Sequence, residues 1–163
     1  LGDVYKRQSP GLPFRCTARR ARRMRGSWRE LSGLPCRHAG SRPARRRDPA
    51  EQVLDARSQG RFDATEPEVR PGIRSGHIPG SRCLYFPTLI NPETKEFLPA
   101  DDLRAAFEDG GVDLNQPTIG TCGSGVSACV LALGLHLLGH EDCAVYDGSW
   151  TEWGGHSDAP VET

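Results

Sequence analysis

Thr121-Cys122-Gly123-Ser124-Gly125-Val126-Ser127-Ala128 places a thiol, several hydroxyls and two glycines directly before a long apolar run. Two glycines let the backbone curl so that successive amides point inward. A helix starting there adds unpaired N–H groups and the positive end of its dipole. Such a turn favours a thiolate, lowers the Cys122 pKa below the free value of about 8.5, and holds an anionic group attached to that sulfur. Two other readings compete. A structural thiol is the commonest fate of a free cysteine, but packing alone does not call for a Gly-Ser-Gly curl. A cysteine phosphatase needs arginine at the sixth position after its nucleophile. That position is Ala128, so the bidentate stabiliser of a transferring phosphoryl group is absent.

The remaining reactive side chains read more plainly. Cys129 falls in the apolar run and Cys143 opens a strand, so both are expected as core thiols. His77 sits in a Gly/Pro loop and reads as a hydrogen-bonding loop residue. His136 and His140 have the spacing of half a metal site, yet no nearby cysteine or carboxylate completes it and Gly139 is expected to end the helix between them. No metal and no cofactor is expected. Asp55 is expected to fix the loops at a strand end, and Trp150 and Trp153 to cover the core.

The elements that must position Cys122 follow from patterning. Gln52-Val53-Leu54-Asp55 reads as a strand, followed by a long Arg/Gly/Pro-punctuated loop through Ser81. Over Asp101–Phe107, Leu103, Ala106 and Phe107 share a helical face, acids fill the first turn and Gly110-Gly111 stop the helix. Residues 117–121 suit a buried strand. Residues 126–138 are apolar nearly all round, which predicts an interior helix, and residues 143–147 give another strand. Strand and helix alternate, so the expected fold class is α/β, a parallel sheet with helices on both faces. A cysteine at the carboxyl edge of such a sheet stands where ligands bind.

With these residues in order, the chain resembles the rhodanese family, in particular the C-terminal catalytic domain of sulfurtransferases of the 3-mercaptopyruvate type. The resemblance runs from about Glu51 to Thr163. It rests on Asp55-Ala56-Arg57, Gly60-Arg61-Phe62, Glu66-Pro67-Glu68-Val69-Arg70, Gly76-His77-Ile78-Pro79-Gly80-Ser81, the 122–128 loop and Asp147-Gly148-Ser149-Trp150-Thr151-Glu152-Trp153. It implies a rhodanese-like fold in which Cys122 is the nucleophile and Ser124 orients or protonates the substrate. Arg61 and Arg70 bind the donor's carboxylate and keto group, and Gly123, Gly125, Val126 and Ser127 complete the binding loop. Relatives that prefer thiosulfate carry basic side chains at the two positions after the cysteine; here those are Gly123 and Ser124, which implies 3-mercaptopyruvate as donor. The chain departs from the family at Ser127, where threonine is usual, and at Val69, where proline is frequent; Ser127 keeps the hydroxyl. The resemblance further implies a Cys122 persulfide, release of pyruvate, a thiol acceptor such as reduced thioredoxin (or cyanide in an assay), and an N-terminal rhodanese domain missing from this fragment. Its alternatives are a thiosulfate sulfurtransferase and a rhodanese module that binds or regulates without catalysis, though such modules usually lack the loop cysteine.

The formal net charge of zero hides two halves. Residues 1–50 carry one Lys and 13 Arg against Asp3, Glu30 and Asp48, a surplus of 14 − 3 = +11; residues 51–163 carry the other 7 basic and 18 acidic groups, 7 − 18 = −11. The first segment is Arg, Gly, Pro and Ser without sustained apolar spacing. It is expected to be disordered or non-native, resembling GC-rich DNA translated out of frame, with 51–163 forming the catalytic domain. A basic nucleic-acid-binding arm lacks an aromatic or motif-bearing partner, and prolines and glycines break any amphipathic transit helix. No nucleic-acid partner is expected. No run of about 18 apolar residues and no secretory leader is apparent. Six cysteines without one suit reduced thiols, so the expectation is no membrane association and a cytoplasmic protein. Limited proteolysis is expected to leave a stable fragment beginning near Glu51; a protected, cooperatively folding N-terminal third would contradict that.

Overall fold

The computed structural model describes residues 51–163; the expectation that residues 1–50 lack a fold lies outside the described residues. Strand β1 (Gln52–Asp55) and strand β3 (Thr118–Thr121) are nearly continuous runs of buried residues, the pattern of strands covered on both faces. They pair in parallel with Asp55 opposite Thr121. Outside them lie β2 (Arg82–Cys83) beside β1 and β4 (Cys143–Val145) beside β3, giving a parallel sheet of order β2-β1-β3-β4. The carboxyl ends of the two central strands therefore coincide, and the Ala56 amide donates to the Thr121 carbonyl at 2.9 Å. Cys122 leaves the sheet at that edge.

Helix α1 (Gln59–Phe62) is a single turn after β1, and a 3-10 turn spans Phe86–Leu89. Helix α2 (Ala100–Asp109) buries Leu103 and Phe107, carries Asp101 and Asp102 in its first turn and is capped by Gly110. With α3 (Ala128–Leu137) it covers one face of the sheet, in a core of Leu54, Leu84, Leu89, Leu103, Phe107, Leu131 and Leu135. A Cβ added at Gly120 would come 3.3 Å from the Ala128 carbonyl, so glycine in β3 lets the helix start against the strand. The other face carries α4 (Ser149–Trp153), with Ile78, Ile119, Tyr146, Trp150 and Trp153 packed together. The expected parallel sheet with helices on both faces is present.

One expectation fails in α3. Apolar residues surround the helix, but only the face of Ala128, Leu131, Gly134 and Leu135 is buried. Leu137 is 55% exposed, and Cys129, expected as a core thiol, is exposed. The helix lies on the sheet as an outer layer, and one layer below it buries one stripe whatever the composition of the rest. Cys143 is half-buried.

The C-terminal segment is tied down by Arg74, whose guanidinium donates to the carbonyls of Gly154 (3.1 Å), Ala159 (2.9 Å), Trp153 (3.2 Å) and His156. A cation at a helix C-terminus satisfies carbonyls left unpaired there. The Trp150 indole donates to the Arg74 carbonyl and that of Trp153 to Pro160, so both rings bury their faces and satisfy their N–H. Among the described residues no helix is long and apolar enough to cross a membrane. Arg74→Ala is expected to cost about 2 kcal/mol of stability, read from urea unfolding, with little change in the reactivity of Cys122.

Candidate active site

Cys122 is buried, 1% exposed, and the chain on both sides of it is fixed. Its amide donates to Ser149 Oγ (3.2 Å), whose hydroxyl donates in turn to the Tyr146 carbonyl (2.7 Å). Ser149 holds this position with φ of +48°, a region that costs a non-glycine residue energy and persists only where surrounding contacts impose it. The Cys122 carbonyl accepts from Trp150 N (2.9 Å), and the Gly123 carbonyl accepts from Thr151 N (3.0 Å) and Thr151 Oγ1 (2.6 Å). Gly125 then turns the loop with φ of +80° and lies against Asp147, whose carbonyl would be 3.0 Å from a Cβ there. Only glycine meets both demands.

The curl returns the start of α3 to the sulfur. Burial pushes the Cys122 thiol up, but the Ser127 hydroxyl and the amides of Ala128, Ser124 and Ser127 outweigh it, and the net direction is below the ordinary thiol value. Ser127 occupies the N-cap of α3 yet makes no side-chain cap; its hydroxyl serves the sulfur instead. Cys83 and Cys129 move the opposite way. Burial, then the charges of Asp55 and Asp63, push Cys83 up to about 11, and burial, then Cys122 and Asp147, raise Cys129.

Beside the loop lies a recess of about 210 Å³ lined by Arg61, Glu68, Val69, Arg70, Ile73, Gly123, Ser124 and Thr151. Arg61 Nη2 pairs with Glu68 Oε2 at 2.6 Å, and a Cβ at Gly123 would sit 3.2 Å from that nitrogen. Glycine at 123 therefore leaves room for the guanidinium beside the nucleophile loop. Arg61 Nε is buried with no hydrogen-bond partner among the described residues. Arg70 Nη1 donates to Thr151 Oγ1 at 2.9 Å, so Thr151 links this arginine to the Gly123 carbonyl. A larger hollow, about 370 Å³, opens at the opposite, amino edge of β3 and β4 around Arg104, Pro117, His140 and Asp142. No thiol or hydroxyl side chain lines it, so the chemistry belongs to the smaller recess.

The residues singled out in the sequence thus converge. Cys122, Gly123, Ser124, Gly125 and Ser127 form the loop, with Ser124 exposed at the mouth, and Arg61 and Arg70 stand across the recess. The Val126 side chain is 75% exposed and is not among those lining the recess. Patterning missed the Ala128 amide, Glu68, Ser149 and Thr151. Ala128 shows no signal because an amide has no letter, whereas Glu68, between two arginines in sequence, offered a charge pattern. Asp55 accepts from the Arg57 amide and guanidinium, and His77 Nδ1 pairs with the Phe62 carbonyl at 2.9 Å while its ring stacks on Phe62. Contrary to the expectation that no carboxylate lies near the pair, His136 meets Glu141, which directly follows His140 in the chain, at 3.0 Å, while His140 pairs with the Leu114 carbonyl.

Fold and site define an open parallel α/β domain with a cysteine held by amides at a helix start. The family model for the rhodanese-like domain matches residues 43–156, and the chain belongs to that family. It is similar to the thiosulfate/3-mercaptopyruvate sulfurtransferase 1, mitochondrial, of Arabidopsis thaliana, 51% identical over 116 residues, 71% of this chain and 30% of that protein. It is also similar to the thiosulfate sulfurtransferase of Cricetulus griseus, 49% identical over 113 residues, 69% of this chain and 37% of that protein. The crystal structure of Tum1 protein from Saccharomyces cerevisiae superposes with a TM-score of 0.60 at 42% identity, over 68% of this chain and 40% of that one. The chain spans about a third of the length of the curated relatives it matches.

Ser127→Ala is expected to slow alkylation of Cys122 about tenfold at neutral pH, the loss of one hydrogen bond to a charged sulfur. The midpoint of the rate against pH should move up, because removing a donor disfavours the thiolate; iodoacetamide kinetics on the Cys122 peptide read both.

Proposed function

We propose that residues 51–163 form a catalytic sulfurtransferase unit whose Cys122 carries sulfur as a persulfide from 3-mercaptopyruvate to a thiol acceptor. The observation that carries the reading is the buried Cys122 sulfur, drawn toward thiolate by the Ser127 hydroxyl and three amides, beside a recess holding two arginines. The step is nucleophilic. Cys122 thiolate attacks the donor sulfur, the carbon–sulfur bond breaks, and its electron pair leaves with carbon as the enolate of pyruvate, which takes up a proton. The outer sulfur stays on Cys122 and is removed by an acceptor thiol such as reduced thioredoxin, or by cyanide. The cradle amides that favour the thiolate also stabilise the persulfide anion. Ser124, at the mouth, orients the donor or protonates the enolate. Arg61 and Arg70 meet the carboxylate and keto group, with Gly123, Gly125, Val126 and Ser127 shaping the loop around them.

Thiosulfate is the second donor reading. Overall identity does not separate the two, since a relative named for 3-mercaptopyruvate and one named for thiosulfate are each 49% identical. The loop favours 3-mercaptopyruvate: Gly123 and Ser124 bring no charge to the sulfur, whereas planar guanidinium groups suit a carboxylate. A binding module without catalysis is disfavoured by the nucleophile. An N-terminal rhodanese domain supplying the other wall of the site belongs to this proposal, supported by the share of the relatives' length that the chain spans. A reducing compartment such as the cytoplasm is part of it too, supported by four free thiols among the described residues, although one relative is named as mitochondrial.

Incubation with 3-mercaptopyruvate is expected to add one sulfur atom to the intact mass. Cys122→Ser should abolish the adduct, while Cys129→Ser and Cys143→Ser keep it; an adduct on Cys122→Ser would overturn the nucleophile. Replacing Arg61 or Arg70 by Ala should lower kcat/KM for 3-mercaptopyruvate by about one to two orders of magnitude, with lysine recovering only part.

A further inference from the structure

We propose that Glu68 sets the net charge of the recess, and with it a preference for a donor carrying one negative charge over a donor carrying two. The inference rests on reading the recess as the donor site and goes beyond the role of the arginines.

The recess is lined by three charged side chains, Arg61, Arg70 and Glu68, which sum to 1 + 1 − 1 = +1. Glu68 is nearly buried, 5% exposed, and both its oxygens are committed at 2.6 Å: Oε2 to Arg61 and Oε1 to Arg57. Behind it, Arg57 is also paired with Asp55, both essentially inaccessible, and that pair adds no net charge. Asp147, beside Gly125 in the loop, adds no positive charge. A site built to hold a dianion gains by leaving both guanidinium groups uncompensated. Here one of the two arrives already neutralised, and only Arg70, tethered through the neutral Thr151 hydroxyl, brings its charge in full. One carboxylate balances a recess at +1; thiosulfate would overfill it.

Glu68 also fixes where the charge lies. It holds Arg61 Nη2 on the side of Gly123, so its replacement changes both field and position, and the test must separate them. In the full chain, the rate of Cys122 modification by anionic iodoacetate relative to neutral iodoacetamide reads the field at the sulfur without requiring sulfur transfer. Glu68→Gln takes the recess to +2 and is expected to raise that ratio about three- to tenfold at low ionic strength, fading as salt is added. It should also increase protection by thiosulfate more than protection by pyruvate. Glu68→Gln combined with Arg61→Gln restores +1 and should bring the ratio back to native, a rescue that loss of structure would not give. A folded Glu68→Gln chain with an unchanged ratio overturns the proposal. Should that variant fail to fold, Arg61→Gln leaves Glu68 and Arg70 as the charged lining, takes the recess to 0 and is expected to lower the ratio, and a native ratio there overturns it equally. A shifted ratio in a chain that forms no persulfide with either donor sinks the sulfur-transfer reading and leaves the charge assignment standing; a persulfide with an unmoved ratio does the reverse.

Discussion

The Arg57 guanidinium is buried at the carboxyl edge of the sheet, and a buried charge persists only when fully paired. Its Nε and Nη2 donate to Asp55, Nη1 to Glu68 and Nη2 to the Gly76 carbonyl, and its face lies 4.5 Å from the centre of the Trp150 ring. Each partner leads somewhere different. Asp55 ends β1, Glu68 holds Arg61 at the recess, Gly76 opens the segment whose Ile78 packs under the sheet, and Trp150 binds the Cys122 carbonyl through its own amide. Removing one partner of such a cluster strands the rest and typically costs about 3–5 kcal/mol. Loop, recess and lower core thus share one fixed point.

Around it, the cysteines show how local geometry separates one thiol from its neighbours. Burial acts on Cys83, Cys122 and Cys129 in the same direction. Cys83 adds the repulsion of Asp55 and Asp63 and donates to the Arg57 carbonyl, so it stays protonated. Cys129, the second residue of α3, hydrogen-bonds the Gly125 carbonyl, and no amide offsets its burial and the charges of Cys122 and Asp147. Only Cys122 faces the amides at the helix start, which is why a helix N-terminus closed over a glycine curl selects it.

Much of this was legible in the residues. The buried strands at 52–55 and 118–121, the α2 stripe and the glycine-bearing loop announce themselves by periodicity and by conformations few residues adopt. Strand β2 is two residues long, and α4 spans five and begins on a positive φ; neither is long enough to show a period. The tertiary pairings were hidden for another reason. Arg57–Glu68 and Arg70–Thr151 join segments 11 and 81 residues apart, and nothing in a linear pattern says which of several charges will meet. Cys129 was misplaced because composition reports how apolar a helix is, not how many sides it buries.

The central claim is that backbone amides and the Ser127 hydroxyl draw the Cys122 pKa below that of an ordinary thiol despite its burial. The most direct measurement is the ultraviolet absorbance of the thiolate as a function of pH, taken as the difference between the chain and its Cys122→Ser variant. The account predicts a midpoint below the ordinary thiol value of about 8.5, so that the anion grows in as pH rises through that lower midpoint. A midpoint at or above the ordinary value would contradict it, since burial would then have won over the cradle.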